Sequence, residues 1–225
     1  MPDLFSPAPA LPCHPPASPL RPELIPRTSW GSSLANLLTE ASWRALKAPF
    51  LERTGGACLL CGVPPTGRRH DAHEIWRYHA PLQPATTGVQ ELLDIWPLCE
   101  SCHRMFHLGL AFKQGQLGEM LARLAAMNGW GRHEAQAYYS RAAAEWAARG
   151  RYEWVLDLSA VIAFRLALRA GQDGWTVDAG GWLSRGGSRS WGNRTRILGT
   201  AYEIGATVRA CEAPGGWYAQ VRRAA

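Results

Sequence analysis

A chain of 225 residues, 47% hydrophobic and 19% charged, has enough apolar mass for a sizeable buried core, as one large domain or two small ones. No apolar stretch approaches the roughly 20 residues of a membrane span, and no positive segment followed by an apolar run opens the chain, so a cytoplasmic protein is expected. The formal net charge of +6 rests almost wholly on arginine, since Lys47 and Lys113 are the only lysines; guanidinium forks suit phosphate and bring nucleic acid forward as a partner.

Residues 1–27 hold nine of the sixteen prolines and are expected as an extended or disordered tail. The later part, "LRPELIPRTSWG", carries enough apolar residues to lie along a globular surface. From Thr39, a suitable N-cap, Trp43, Leu46 and Phe50 recur at helical spacing; Pro49 should bend or restart this helix and "TGG" (54–56) should end it. "CLLCGVPPTGRR" reads as a turn-rich knuckle, "DAHEIWRYH" as a short strand, 80–90 as loop and "LLDIWPLC" as an extended return. "SCHRMFHLGLAF" begins a helix. Two more helices are expected at 118–130, stopped by Asn128-Gly129, and at 132–150, with Tyr138, Ala142 and Trp146 on one stripe. After "RYEWVLDL", which alternates like a strand, 159–170 looks helical. Residues 172–225, glycine-rich with interspersed tryptophans, read as short strands. The glycine-rich run 180–194 lacks the lysine of a phosphate-binding loop and reads as turns.

Four of the six cysteines form two CxxC pairs, Cys58/Cys61 and Cys99/Cys102, separated by 37 residues. Each pair can present two thiolates to one ion, and four thiolates make a closed tetrahedral zinc site with no position left for catalysis. A redox motif would need only one pair. The zinc should clamp the knuckle at 58–61 to the helix starting at 102 and supply folding energy to the short strands between.

These cysteines leave several histidines over. His103 and His107 stand four apart on the expected helix, a spacing that puts both imidazoles on one face, where they could hold a second ion. The strand adds His73, with Asp71 on the same face and Glu74 beside it. A lone histidine here would merely buttress the thiolates; three gathered by a zinc clamp point to chemistry.

On these residues, "CLLCG…DAHEIW…LLDIWPLCESCHRMFH", the chain resembles the zinc-stabilised branch of the HNH nucleases over about residues 39–110. The flanking "ELIPRTSWG", "MNGW" and "RYEWVLDLS" are also similar to a group of bacterial proteins described as HNH endonucleases. The resemblance implies a treble-clef or ββα-metal finger. It makes His73 the general base, places Asp94 where an asparagine usually fixes the loop, and makes His103 and His107 ligands of a catalytic ion. Two positions differ from the family pattern: Asp94 itself, and Ala72, where an aspartate or histidine ligand is usual. Asp71, Glu74, His70 or a substrate phosphate would have to complete the two-histidine site.

The expectation is therefore an α+β protein: a tail (1–27), a zinc finger set among helices (28–150), and a small, mainly β C-terminal unit (151–225). The expected reaction is hydrolysis of DNA phosphodiesters with Mg²⁺, Mn²⁺ or Ni²⁺, with Arg77 and Arg104 as phosphate contacts. The C-terminal unit, with ten arginines against six acids, could help hold nucleic acid. The competing expectation is a non-catalytic zinc-finger module that binds nucleic acid or another protein.

Overall fold

The computed structural model describes residues 19–22, 24–81 and 86–161, and beyond them the backbone of six short strands. The proline-rich stretch 1–18, most of the run 180–194 and the side chains of the C-terminal tryptophans lie outside the described residues. Helices α1 (Leu34–Leu37), α2 (Glu40–Glu52), α3 (Glu100–Met105), α4 (Leu108–Lys113), α5 (Leu117–Asn128) and α6 (Arg132–Arg149) surround a mixed sheet. Strands β1 (Asp71–His79), β2 (Thr87–Leu98) and β3 (Glu153–Asp157) precede β4 (Leu166–Ala167), β5 (Trp175–Val177), β6 (Leu183–Arg185), β7 (Arg194–Leu198), β8 (Ala201–Ile204) and β9 (Thr207–Ala210). The chain is thus α+β, as expected. Six strands run in the order β1-β2-β3-β7-β6-β5, and β4-β8-β9 form a small second sheet.

The larger sheet crosses the boundary expected at residue 151, because β3 pairs parallel with β2 and β7 parallel with β3. The run 159–170, expected as helix, instead gives a 3-10 turn at Ser159–Val161 and the strand β4. Its apolar residues suit either structure, and pairing of β4 with β8 decides for strand. The return strand also starts earlier than expected, at Thr87 inside the supposed loop. Gly88 permits this: a Cβ there would stand 2.5 Å from the Trp154 ring across the β2–β3 pair.

The β1–β2 hairpin divides two cores. Ile75 pairs with Asp94 but Trp76 with Leu92, leaving Leu93 as a bulge. The extra residue turns Leu92 and Ile95, three apart, onto the same side, where they pack with Leu46, Phe50 and Trp76 under α1 and α2. Trp96 and Leu98 face the opposite core with Met105, Leu108 and Leu124 of the later helices. Each fully buried leucine or phenylalanine contributes roughly 1.5–3 kcal/mol.

Helix ends follow local chemistry. The Thr39 hydroxyl accepts the Ser42 N–H, and Gly129 closes α5 in the left-handed region at φ 66°. Pro49 sits within α2 without ending it. Residues 20–22 and 24–27 lie across α5 and α6 and bond to side chains in place of a strand partner. Asn128 Oδ1 accepts the Leu20 N–H at 2.6 Å, Tyr138 donates to the Pro22 carbonyl, and Trp146 Nε1 donates to the Ile25 carbonyl at 2.9 Å. Among the described residues no helix is long and apolar enough to cross a membrane.

Candidate metal centres

Cysteine geometry begins where α2 ends. The Gly62 N–H donates to the Cys58 carbonyl at 2.9 Å with Gly62 at φ 72°, and the Cys58 N–H donates to the Val63 carbonyl at 2.9 Å, closing the knuckle. Leu59 N–H donates to the Pro97 carbonyl at 2.9 Å and ties the knuckle to the end of β2. Cys99 is the N-cap residue of α3 and Cys102 lies in its first turn. All four sulfurs fall within 4.8 Å of one another, and Cys61 Sγ stands 3.7 Å from Cys99 Sγ. Sulfurs at about 2.3 Å from a tetrahedral zinc lie roughly 3.8 Å apart, so the donor set fits that ion.

The electrostatics agree. Burial acts to raise the Cys58 thiol, but backbone N–H groups of Cys99, Cys61 and Leu60 outweigh it and bring the group down to about 7. Burial holds Cys61 above the ordinary range, while burial and the adjacent Cys58 charge push Cys102 higher still. One negative charge thus opposes the next, and four thiolates can share this volume only around a cation. Sequence reading missed Arg123 of α5, whose Nη2 lies 3.9 Å from Cys102 Sγ. It brings a positive charge to the thiolates from a helix that no CxxC spacing identifies.

Three histidines gather at the other end of α3. The single helix expected through 102–112 is broken: α3 stops at Met105, and His107, at φ −107° and ψ 49°, precedes α4. Helical i,i+4 geometry therefore does not bring the imidazoles together; the break does. His107 Nε2 stands 2.9 Å from His103 Nε2, and His103 Nδ1 lies 3.1 Å from Asp71 Oδ2. His73 projects from β1 toward both, its ring centroid 5.1 Å from that of His103 and 5.3 Å from that of His107. One ligand nitrogen from each of the three lies within 4.8 Å of the others. Phe106, 4.7 Å away by ring centroid, backs the His73 ring.

With the Asp71 carboxylate accepting from His103 Nδ1–H, the His103 Nε2 lone pair faces His107. A distance of 2.9 Å there suits either a proton shared by the rings or an ion on both: donors at adjacent corners of an octahedron of ~2.1 Å bonds lie roughly 3.0 Å apart. Burial, then the neighbouring imidazoles, holds His73 well below its ordinary value. Burial, then His103, brings His107 to about 4 against the opposing pull of Asp71. Both are neutral near pH 7, the form that offers a lone pair.

Strand alternation decides which neighbours can join. Ala72 packs toward the α1–α2 core, away from His73. Glu74 also faces that side, contrary to its expected place beside the histidines. Its Oε1 accepts the Leu34 N–H at 2.8 Å at the start of α1, and its Oε2 accepts Trp76 Nε1–H at 3.1 Å. Burial raises this carboxyl to about 7. His70 Nε2 is 2.8 Å from the Val63 carbonyl, back at the knuckle. Asp71 alone of the three residues expected to complete the site meets the cluster.

No family model, curated protein or solved structure matches this chain.

The remaining expected site residues are engaged elsewhere. Asp94, fully buried, pairs with Arg53 at 2.7 Å, accepts the Ile95 N–H at 2.7 Å and accepts Trp96 Nε1–H at 3.1 Å. These bonds fix the bulge and the strand paired with His73, since His73 stands opposite Trp96. Arg77 lies 3.7 Å from Glu91, and Arg104 donates to Gln116.

Proposed function

We propose that the chain is a metal-dependent DNA endonuclease, with a treble-clef finger held by zinc on Cys58, Cys61, Cys99 and Cys102. The observation that carries this reading is the meeting of His73, His103 and His107 in one cluster beside Asp71, apart from the thiolates. His103 and His107 would hold a divalent ion such as Mg²⁺, Mn²⁺ or Ni²⁺, which when bound polarises the scissile phosphate and stabilises the leaving 3′-oxygen. His73, neutral and backed by Phe106, accepts a proton from the attacking water. Asp71 keeps His103 in the tautomer whose Nε2 is bare. Asp94 acts as a positioning residue, through Trp96 and the strand opposite His73.

One observation favours the second reading, a non-catalytic zinc-finger module: Ala72 is turned into a hydrophobic core and brings no ligand. Incubating the zinc-loaded protein with plasmid DNA and each divalent ion separates the two. The endonuclease reading expects metal-dependent nicking that falls by about 10²–10⁴ in His73→Ala. Supercoiled plasmid and single-stranded DNA both left intact by every ion, yet retarded in a gel by the protein, overturn it in favour of the binding module.

A further inference from the structure

A groove of about 480 Å³ opens beside the histidine cluster and shares His107 with it. Its walls are aromatic: Trp30, Tyr139 and Trp146, with Phe106 at the inner end and Phe112 at the rim. The two indoles are held by a common anchor. Trp30 Nε1 donates to the Ile25 carbonyl at 3.0 Å, and Trp146 Nε1 donates to the same oxygen at 2.9 Å. Their rings are therefore fixed, 6.4 Å apart between centroids, before any ligand arrives. Phe112, 64% exposed, and Leu110, 53% exposed, stand open to solvent as large apolar side chains. Lys113 lies at the same mouth, Nζ 4.1 Å from the Trp30 centroid, and no carboxylate lines the groove among the described residues.

We infer that this groove takes an unstacked nucleobase of the DNA substrate, and that the site therefore acts on single-stranded or locally opened DNA. The inference rests on the endonuclease reading and adds the form of its substrate. A flat π ligand suits fixed aromatic faces, and the Lys113 ammonium, in a groove that no carboxylate lines among the described residues, suits the phosphate attached to it. Because His107 belongs to both wall and cluster, a base in the groove sets its own backbone beside the histidines. In a closed duplex the base stays in the stack and cannot enter. A second copy of the chain would bring apolar side chains to the same groove, but would leave the cation and the shared histidine without a purpose.

The test uses the full-length zinc-loaded protein without added divalent ion, so that binding is read apart from cleavage. A short single strand containing 2-aminopurine, and the same strand in a duplex, are titrated with the protein and with Phe112→Ala. Tighter binding of the single strand, quenched 2-aminopurine emission and about a tenfold loss of single-strand affinity in Phe112→Ala, with melting temperature and duplex binding unchanged, support the inference. Phe112 is a surface residue, so its removal leaves the fold intact. Equal affinity for the two forms, or an unaltered Phe112→Ala, overturns the groove assignment while metal-dependent nicking by the wild type keeps the endonuclease reading. Self-association abolished by Phe112→Ala overturns it in favour of a dimer interface. Failure of the wild type both to bind either form and to nick plasmid removes the two readings together.

Discussion

The two ends of α3 carry different chemistry within a few residues. At its start Cys99 and Cys102 meet Cys58 and Cys61 in a set of four soft donors, two of them buried and all joined through backbone turns. At its end His103 and His107 meet His73 in a set of three nitrogens, with a carboxylate behind one ring and an apolar groove beside another. Donor number separates the roles. Four thiolates would saturate a tetrahedral ion and leave no position for chemistry; two imidazoles on an ion leave room for a water or a phosphate oxygen, with the third imidazole left to take a proton. Closure also explains the order of dependence, because the histidines come from β1 and from the end of α3, and the cysteine knuckle ties α3 to β2, the strand paired with β1.

That dependence gives the largest expected effect. Cys102 is fully buried, and structural zinc sites are worth on the order of 10 kcal/mol, as much as the whole stability of many domains. Cys102→Ser should therefore lose the bound zinc and the cooperative thermal transition together, read by elemental analysis and circular dichroism. A variant that lost zinc yet melted like the wild type would break the distinction between the two ends of α3, since the thiolates would then brace nothing.

A smaller change belongs at the histidine end. Asp71→Asn keeps the size of the side chain but removes the charge that fixes the His103 tautomer. Affinity for an added divalent ion, followed by calorimetry with Ni²⁺ or Mn²⁺, should fall by about 10–100-fold. Zinc content and melting temperature should stay those of the wild type. Should zinc leave as well, the two clusters are one coupled site and the comparison fails.

How much of this was legible in the sequence depended on whether local or distant partners set the geometry. Thr39 and Gly129 mark helix ends by their own chemistry, and the paired CxxC spacing states its donor set outright. The break at Phe106-His107 has no proline or glycine to announce it. It arises because Phe106 is drawn against Trp96 and His73, at centroid distances of 5.8 and 4.7 Å, while His107 turns onto His103. Glu74 departs from expectation for a different reason: proximity in sequence to His73 suggests a shared site, whereas the period of two along a strand puts adjacent residues on opposite faces. The bulge at Leu93 is similarly silent in sequence, yet it turns Leu92 and Ile95 onto the same core.

The smallest expected effect concerns a residue with no sequence signature at all. Arg123 stands 21 positions after Cys102, on a different helix, and reaches its sulfur only because α5 packs on α3. A zinc held by four thiolates carries a net charge of −2, and an adjacent guanidinium offsets part of that charge while donating to one sulfur. Arg123→Met retains most of the packing volume and removes the charge and the donor. Zinc affinity in competition with a chromophoric chelator should drop by about tenfold or less, at the lower end of what such outer contacts contribute. Divalent-ion affinity at the histidines should not move, since Arg123 touches the thiolate side alone. An equal loss at both sites would mean that the charge of α5 acts through the whole of α3, and a single electrostatic unit would then replace two separable ones.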